Sequence, residues 1–316
     1  MGEKIAVIGS GLIGRAWAIA FARSGYNVAL HDPVPQATEA TLAFIDGALQ
    51  ELADHGLLDG NSPDTVRRNI TAVSELKSAL ADAIHIQECT PEDLDSKIKV
   101  FRLLDSAAAA EAVIASSTSA LLPSKFIKGL PGASRCLVAH PINPPYLIPA
   151  VEIVPAPWTD PSVVTRTRLL MESLGQAPIV MKQEIDGFVV NRLQGALLQE
   201  AFRLVKGGYA SVSDVDSAVS DGLGLRWSFM GPFETIDLNA PGGIADYVAR
   251  YENLYRNLSE TQQEVVSWAD AVGAGVEAER TAALPRSELA VRQGWRDRRL
   301  MALAAYKHGA TKSAGS

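Results

Sequence analysis

The chain has 316 residues, of which 47% are hydrophobic and 21% are charged. That length predicts two domains with sizeable cores, and the composition is typical of a globular protein rather than a disordered one. The formal net charge of −7 disfavours binding to nucleic acid through a basic surface. The sequence opens directly on a strand pattern, without a charged-then-apolar leader or an apolar run of membrane-spanning length. We therefore expect a soluble cytoplasmic protein with no membrane partner.

Cysteine usage points the same way. The two cysteines, Cys89 and Cys136, both lie in apolar strand-like runs. Two thiols in such surroundings predict buried, reduced side chains and support neither a disulfide framework nor a metal cluster. We expect no metal site.

The N-terminal segment has the pattern of a dinucleotide-binding βαβ unit. A short apolar strand over residues 4–8 leads into Gly9-x-Gly11-x-x-Gly14 and then into a helical pattern over residues 15–23. The first glycine permits a tight turn, the second lets the backbone approach a pyrophosphate, and the third allows close packing of helix on strand. The alternative is a glycine turn that only joins a strand to a helix. The predicted cofactor contacts along this loop are Gly9, Gly11, Leu12, Ile13 and Gly14.

Asp32 identifies the expected dinucleotide. It follows the second predicted strand, close to the spacing of about 20 residues at which an acid binds the ribose 2′-hydroxyl. A carboxylate at this position would repel the 2′-phosphate of NADP. The sequence therefore predicts NAD as the cofactor.

Residues 36–69 read as a helical hairpin inserted after the second strand, and its charge is one-sided. Between Pro33 and Leu76 there are seven acids, two arginines and no lysine. A coenzyme A substrate carries several phosphates, which lysines and arginines normally bind. The acidic hairpin therefore disfavours a CoA thioester.

His140 and Glu152 form the candidate acid/base pair. Apolar runs over residues 135–139 and 147–154 have the length and β-branched content of strands, which would bring the two side chains together. A carboxylate bonded to one ring nitrogen fixes the tautomer and leaves the other nitrogen to exchange a proton. The alternative is a core histidine with an ion-pair partner.

A hydroxyl-rich segment, Ser116-Ser-Thr-Ser119, follows another predicted strand. Open α/β sheets bind ligands at the carboxyl ends of their strands, so these hydroxyls are candidate ligand contacts. Alternatively, one of them caps the helix that begins near Pro123.

The pattern becomes entirely helical beyond residue 185. We predict an α/β class: a Rossmann-type doubly wound sheet with the inserted hairpin over residues 1–184, followed by an all-α domain over residues 185–316. Asn191 is a polar residue in an apolar helical stripe near this boundary. It either reaches across a cleft or makes a helix-packing hydrogen bond.

Taken together, the motifs resemble the L-3-hydroxyacyl-CoA dehydrogenase superfamily, and within it the lambda-crystallin and L-gulonate 3-dehydrogenase branch. The resemblance covers essentially the whole chain. Its motifs are Gly9-x-Gly11-x-x-Gly14, Pro91-Glu92-Asp93 with Lys97, Ser116-Ser-Thr-Ser119, His140-Pro-Ile-Asn143-Pro, Glu152, Asp186-Gly-Phe-Val-Val-Asn191-Arg192 and Gly231-Pro232-Phe233-Glu234.

The resemblance implies roles for individual residues. His140 would be the general acid/base, and Glu152 would orient it. Ser119 and Asn191 would hydrogen-bond the reacting substrate. The implied dinucleotide contacts are Asp32, Glu92, Lys97, Ser119 and Asn143. The family also implies a homodimer formed through the C-terminal helical domain.

Arg226 is the candidate for substrate selection. The loop around it resembles the branch that acts on free hydroxy acids, and a guanidinium is the preferred partner of a free carboxylate. We expect Arg226, of its own or the partner subunit, to bind a small 3-hydroxy acid. The alternative is a surface or interface arginine.

L-gulonate, oxidised to 3-dehydro-L-gulonate, fits the branch best. The alternatives are a 3-hydroxybutyrate-like acid, 3-hydroxybutyryl-CoA and L-carnitine, whose trimethylammonium group would need an aromatic cage. Candidates for that cage are Tyr146, Trp227, Phe229 and Phe233. A non-catalytic, crystallin-like or NAD-binding role is the remaining reading, and it would show cofactor binding without turnover.

Overall fold

The computed structural model describes residues 2–314 of the chain, with side chains described as far as residue 310. Contacts between Cα atoms divide the chain into two compact units. The first contains the residues up to Val190 together with those from Gln293 onward, and the second spans Asn191–Arg292.

The first unit is built on a sheet whose described strands number eight, in the order β3-β2-β1-β4-β5-β6-β7-β8. Strands β1 to β6 pair in parallel, β7 runs antiparallel to β6, and β8 runs parallel to β7. Strand β1 lies between β2 and β4, and the strands that follow it in the chain are added first on one side of it and then on the other. Ligands of open α/β sheets bind at such a switch point. The strands are β1 (Lys4–Ile8), β2 (Asn27–His31), β3 (Ile70–Ala72), β4 (Ala83–Glu88), β5 (Val113–Ser116), β6 (Cys136–Pro141), β7 (Ala150–Pro155) and β8 (Ala177–Val180).

Helices cover both faces of this sheet, so the predicted Rossmann-type fold is confirmed. One core cluster includes Trp17, Leu49, Met171 and Met301, and the other is formed around Phe101 and its neighbours. The helices of this unit are α1 (Leu12–Arg23), α2 (Pro35–Asp54), α3 (Pro63–Arg68), α4 (Leu76–Leu80), α5 (Leu94–Ala107), α6 (Pro123–Phe126), α7 (Pro161–Ser173) and the greater part of the terminal helix α15 (Leu289–Ala314).

Helices α2 and α3 form the hairpin that the sequence predicts over residues 36–69. Ser62 caps α3 by accepting a hydrogen bond from the Thr65 backbone N–H. Arg67, one of the two hairpin arginines, places its Nε 2.8 Å from Asp46 Oδ1. One of the two arginines of the hairpin is thus already paired with an acid of the hairpin.

The second unit is helical, as expected from the change of pattern after residue 185. Its helices are α8 (Val190–Lys206), α9 (Val212–Ser217), α10 (Gly224–Trp227), α11 (Pro232–Leu238), α12 (Gly243–Thr261), α13 (Trp268–Ala271) and α14 (Glu277–Ala283). The units differ from the predicted domains at two places, the first of which is the boundary, which follows Val190 and not residue 184. The prediction also assigned residues 293–316 to the helical domain, whereas Met301 of α15 is 1% exposed in the core of the first unit.

One strand begins later than the sequence suggested. The apolar run over residues 147–154 predicted a strand, but β7 begins at Ala150. The backbone N–H groups of Leu147 and Ile148 both donate to the carbonyl oxygen of Pro144, which closes a turn. That turn takes the first residues of the run out of the sheet.

Both cysteines are free thiols. Cys136 is buried as expected, whereas Cys89 is only half-buried. Burial raises the pKa of each thiol to about 12. Both side chains are therefore protonated and unreactive near neutral pH.

None of the helices in the described part of the chain combines the length and apolar character needed to cross a bilayer. Among the side chains of residues 2–310 there is also no cluster of three or more His, Cys, Asp or Glu arranged to hold a metal ion.

Replacing Met301 by Ala tests whether the terminal helix completes the first core. Removing a fully buried side chain leaves a cavity, so we expect a loss of about 2–5 kcal/mol in the free energy of unfolding. Urea unfolding measures it. The control is Val291→Ala on the same helix, where the side chain is 71% exposed and the expected change is within about 0.5 kcal/mol. Equal effects of the two substitutions would contradict this role of α15.

Candidate active site

The glycine loop between β1 and α1 has the geometry of an anion-binding turn. Gly9 has φ of +101°, a conformation that favours glycine, and a Cβ there would meet the Cys89 carbonyl. A Cβ on Gly14 would overlap the Gly9 carbonyl oxygen, so helix and turn pack in direct contact. Apart from the two neighbouring residues in the chain, no described residue has an atom within 4 Å of a Cβ built on Gly11. The loop is thus closed on its inner side and open at Gly11.

Helix α1 begins immediately after this loop, and its N-cap residue Gly11 supplies no side-chain hydrogen bond. The first N–H groups of a helix lack partners within the helix and carry a partial positive charge. An open glycine turn at such a helix end fits a pyrophosphate. The residues present therefore fit the phosphates of a dinucleotide.

Asp32 lies at the end of β2, beside the same loop. Its Oδ2 accepts hydrogen bonds from the Ser10 N–H at 2.8 Å and the Ser10 hydroxyl at 3.0 Å. Its Oδ1 accepts from the Val34 N–H at 2.9 Å. A carboxylate has about four acceptor positions, so Asp32 can still accept a bond from a ribose hydroxyl. The structure brings Asp32 and the glycine loop together, as the spacing predicted.

His140 and Glu152 are directly opposite each other in the antiparallel pairing of β6 and β7. His140 Nδ1 lies 2.7 Å from Glu152 Oε2. An ionised carboxylate only accepts hydrogen bonds, so we assign the proton to Nδ1 and the accepting lone pair to Nε2. The imidazole is 6% exposed and the carboxylate is fully buried. The predicted contact is therefore present.

The second oxygen of Glu152 is held by the start of helix α8. Oε1 accepts hydrogen bonds from the backbone N–H groups of Val189 at 2.7 Å and Val190 at 2.9 Å. Burial by itself would raise the pKa of Glu152, but the bonds from His140, Val190 and Val189 outweigh it. The pKa therefore lies below its usual value. Glu152 stays ionised and supports a positive charge on the imidazole.

A sharp turn delivers those two N–H groups. Gly187 and Phe188 have φ of +78° and +50°, and this left-handed conformation is uncommon for a bulky residue such as phenylalanine. Phe188 is fully buried, and its ring centroid lies 5.7 Å from that of His140. The turn thus places the Phe188 ring in a tilted contact with the imidazole, and the N–H groups that follow it bind the carboxylate. Strained backbone of this kind concentrates at functional sites.

Two glutamates, Glu88 and Glu92, accept hydrogen bonds from the hydroxyl-rich segment 116–119. Glu92 Oε1 accepts hydrogen bonds from the Thr118 hydroxyl, the Ser119 N–H and the Ala120 N–H. Ser116 donates to Glu88 Oε2 at 2.6 Å. Ser119 alone of the four is exposed at the tip. The capping alternative is wrong, because the N-cap of α6 is Leu122 and no side chain caps that helix.

Lys97 was predicted to contact the dinucleotide, but it is 1% exposed and paired with Glu88. Its Nζ lies 2.8 Å and 2.9 Å from the two Glu88 oxygens and 3.0 Å from the Thr90 carbonyl oxygen. These bonds occupy the three donors of an ammonium group. In this arrangement Lys97 supports the end of β4, and a contact with the cofactor would require one of the bonds to break.

The remaining predicted residues are placed as follows. Asn143 is exposed in the segment that joins β6 to β7. Asn191 and Arg226 belong to the second unit. Asn191 is the second residue of α8. Arg226, on α10, is exposed and lines an open cavity of about 560 Å³ together with Leu225 and Phe229.

Sequence reasoning missed the Glu88–Lys97 pair and the part played by Phe188. Glu88 and Lys97 are separated by a loop, and no periodicity connects them. The signal for Phe188 was present in Asp186-Gly187-Phe188, because a glycine beside a large aromatic residue indicates a sharp turn with a buried anchor.

The chain matches two family models placed end to end. Residues 4–185 match the NAD binding domain of 3-hydroxyacyl-CoA dehydrogenase, and residues 187–278 match the C-terminal domain. The chain is 43% identical over 307 residues to the lambda-crystallin homolog of Bos taurus, covering 96% of this chain and 95% of that protein. It is 42% identical over 236 residues to the L-carnitine dehydrogenase of Oceanobacillus iheyensis, covering 75% and 76%.

Similarity extends to a solved structure. An NAD⁺-dependent dismutase, 5-formyl-3-hydroxy-2-methylpyridine 4-carboxylic acid 5-dehydrogenase, superposes with a TM-score of 0.82 at 26% identity. The match covers 98% of this chain and 99% of that one. It therefore includes both the sheet unit and the helical unit.

Replacing Lys97 by Met tests its structural role. The substitution leaves Glu88 as a buried, uncompensated charge, so we expect a loss of about 3–5 kcal/mol in the free energy of unfolding, measured in urea. Adding Glu88→Gln removes that charge and should recover part of the loss. If Lys97→Met left stability unchanged and raised only the KM for NAD, a direct cofactor contact would be the better assignment.

Proposed function

Because the chain belongs to the 3-hydroxyacyl-CoA dehydrogenase family, whose members are NAD-dependent oxidoreductases of CH–OH groups, we propose that it oxidises the C3 hydroxyl of a small free 3-hydroxy acid. L-gulonate, converted to 3-dehydro-L-gulonate, is the first candidate substrate. The observation that carries the proposal is the buried His140–Glu152 pair, with Nδ1 and Oε2 2.7 Å apart.

In the proposed reaction, His140 acts as the general base. Its Nε2 removes the proton of the substrate hydroxyl, while Glu152 holds Nδ1 and stabilises the imidazolium that forms. NAD, when bound, supplies the acceptor for the hydride that leaves C3. Ser119 and Asn191 hydrogen-bond the reacting oxygen. The buried carboxylate and the Phe188 ring keep the imidazole in one orientation throughout.

The glycine loop and Asp32 would hold NAD, with Gly11 open toward the pyrophosphate and Asp32 accepting from the ribose. Leu12 and Ile13 supply N–H groups of the first helical turn. Ser119 and Asn143 would contact the nicotinamide end. In this scheme Glu92 and Lys97 act mainly through hydrogen bonds that hold the loops after β4 and β5, from which those contacts would come.

A free acid is favoured over a CoA thioester by the charge of the hairpin. Its acids outnumber its arginines, and Arg67 is already paired with Asp46. The dismutase that superposes on this chain is itself named for a carboxylic acid. Arg226 would then bind the substrate carboxylate, since a guanidinium offers a planar pair of donors to it.

L-carnitine is the second candidate, and the similarity to L-carnitine dehydrogenases supports it. Of the four aromatic residues considered for a cage around its trimethylammonium group, Trp227, Phe229 and Phe233 are exposed in the second unit. Tyr146 is 4% exposed in the first unit, so the described arrangement does not offer its ring as a surface. The cage, if formed, would draw on the other three.

We also propose a homodimer through the helical unit. Its described surface exposes many large apolar side chains, which is typical of an interaction site. Examples are Leu193, Leu225, Phe229, Phe233, Leu238 and Val265, each more than 60% exposed in the single chain. The two free thiols fit a reducing compartment, and we place the enzyme in the cytoplasm.

The proposal is tested by offering L-gulonate, 3-hydroxybutyrate, L-carnitine and 3-hydroxybutyryl-CoA with NAD and following NADH absorbance. We expect turnover of a free acid and little of the thioester. Turnover of the thioester alone would overturn the free-acid assignment. NADH binding without turnover of any compound would instead favour a crystallin-like, non-catalytic protein.

Replacing His140 by Asn should lower kcat by about 10²–10⁴ because the general base is lost. The same substitution at His55, whose ring nitrogen bonds to the Glu51 carbonyl oxygen in the hairpin, is the matched control and should leave kcat unchanged. Steady-state kinetics with the best free acid measures both. Full activity of the His140 variant would exclude the proposed mechanism.

Replacing Arg226 by Met should raise the KM for a free acid by about tenfold or more, since a charge-assisted hydrogen bond contributes roughly 1.5–3 kcal/mol. Arg250→Met is the control. It removes the same charge from the same unit, but Arg250 is paired with Asp246 at 2.7 Å. An unchanged KM in the Arg226 variant would show that this arginine does not bind the carboxylate.

A further inference from the structure

Gln87 is a fully buried polar residue on β4 that the proposed reaction does not use. Its Nε2 donates hydrogen bonds to the Ser117 hydroxyl at 2.7 Å and to the Ala139 carbonyl oxygen at 3.2 Å. Its Oε1 lies 3.0 Å from His85 Nε2. Burying an amide is costly unless hydrogen bonds replace those it made to water. Gln87 meets that requirement by connecting β4 to the segment after β5 and to β6.

The Ala139 carbonyl fixes the orientation of this amide. A carbonyl oxygen only accepts hydrogen bonds, so the group of Gln87 beside it must be the NH₂. The amide oxygen then faces His85, and we assign the ring proton of His85 to Nε2. Burial lowers the pKa of His85 to about 4, so this ring is neutral near pH 7. The bonds around Gln87 therefore have one consistent arrangement of donors and acceptors.

The Ala139 carbonyl points from β6 toward β5, because backbone bonds alternate along the antiparallel strands β6 and β7. The Ile142 N–H donates to the Ala150 carbonyl oxygen, which makes these two residues a hydrogen-bonded pair. Such pairs recur at every second residue, so His140 and Glu152 form one and Ala139 does not. Ala139 therefore depends on the β5 side of the sheet for a donor.

Strand β5 does not supply that donor. Its pairing with β6 ends at Ser116 and Val138. One step further, the same parallel register would bring the Thr118 N–H to the Ala139 carbonyl. The Thr118 N–H instead donates to the Ser116 hydroxyl at 3.2 Å. The side-chain amide of Gln87 takes the place of the backbone donor at this point of the sheet.

The second bond of the Gln87 amide leads toward the glycine loop. The Ser117 hydroxyl oxygen accepts from Gln87 and also from Trp17 Nε1 of α1, at 3.2 Å. With both acceptor positions filled, its own proton is directed to Cys89 Sγ, at 3.2 Å. The Cys89 carbonyl is the group that a Cβ on Gly9 would meet. Gln87 thus connects the residues that support the dinucleotide loop to the strand of the general base.

The bond to Ala139 acts on His140 through the backbone. The Ala139 carbonyl and the His140 N–H belong to one planar peptide unit, so holding the carbonyl fixes the plane from which His140 continues. Glu152 holds the imidazole at Nδ1. We propose, on the basis of the general-base role proposed for His140, that Gln87 is its positioning residue. The amide keeps the 139–140 peptide in the orientation that places the ring on Glu152 and leaves Nε2 available for the proton.

Replacing Gln87 by Met tests the proposal, because it removes both donors and keeps a side chain of similar length. Gln176→Met is the matched control. Gln176 is also buried, and its Nε2 donates to the Pro145 carbonyl oxygen at 2.9 Å, away from the 139–140 peptide. Urea unfolding of both variants measures how far each is destabilised, so a general loss of stability can be separated from a displacement of His140.

The first measurement is the exchange with water of the proton on His140 Nδ1, followed by NMR in the full-length protein with ¹⁵N-labelled histidine. His140→Asn identifies the signal by removing it. We expect exchange in Gln87→Met to accelerate by about tenfold, because a hydrogen bond that holds the preceding peptide is lost. In Gln176→Met it should keep the rate of the unaltered protein. The measurement needs no substrate.

The second measurement is steady-state kinetics with the best free acid. Gln87→Met should lower kcat by about tenfold or more and leave the KM for NAD within about twofold, since a displaced base affects the chemical step. Gln176→Met should keep kcat. Ser117→Ala is a second variant, should Gln87→Met not fold. It removes an acceptor that orients the amide, so it should accelerate the exchange and lower kcat in the same direction by a smaller factor.

The proposal is overturned if the His140 proton exchanges at the unaltered rate in Gln87→Met and Ser117→Ala. It is also overturned if Gln176→Met accelerates the exchange equally, since the effect would then come from a general loss of stability. If the unaltered protein oxidises no free acid while Gln87→Met accelerates the exchange, the proposed function fails and the positioning of His140 by Gln87 stands.

Discussion

The buried carboxylate of Glu152 is the interaction on which the site depends. It lies opposite His140 in the sheet and accepts two backbone N–H bonds from the start of α8. A buried charge is costly unless both of its oxygens are satisfied. Because the compensating donors come from β6 and from the turn at Phe188, loss of either would leave one oxygen of the buried carboxylate without a partner. The hydrogen bonds of this one carboxylate therefore connect strand β6 to the turn that ends the sheet unit.

The same principle recurs along the carboxyl edge of the sheet. Glu88 forms an ion pair with Lys97 and accepts a hydrogen bond from the Ser116 hydroxyl. Glu92 accepts hydrogen bonds from the backbone N–H groups of Ser119 and Ala120. Each carboxylate uses local donors to hold a loop in a defined conformation. The edge is preorganised in this way, with Ser119 exposed at its tip and open space beside Gly11.

Much of this could be predicted from the sequence, and the misses have physical causes. The glycine loop with Asp32 and the His140–Glu152 contact follow from local patterns and from strand pairing, which have fixed spacings. The burial of Lys97 and its pairing with Glu88 could not be predicted, because the sequence shows a charge but not its surroundings. The late start of β7 depends on a turn at Pro144 that hydrophobicity does not reveal. The packing of α15 against the core of the first unit is a tertiary contact, and no local sequence pattern predicts it.

That packing has a consequence for how the chain can be divided. The second unit is an insertion, since its residues 191–292 lie between two portions of the first. Ending the chain at Val190 would thus remove Met301 and leave a gap in an apolar core. An autonomous sheet unit would require Val190 to be joined to Gln293 by a linker. The sequence patterns suggest two domains in tandem, whereas the packing shows a helical domain inserted into the sheet domain.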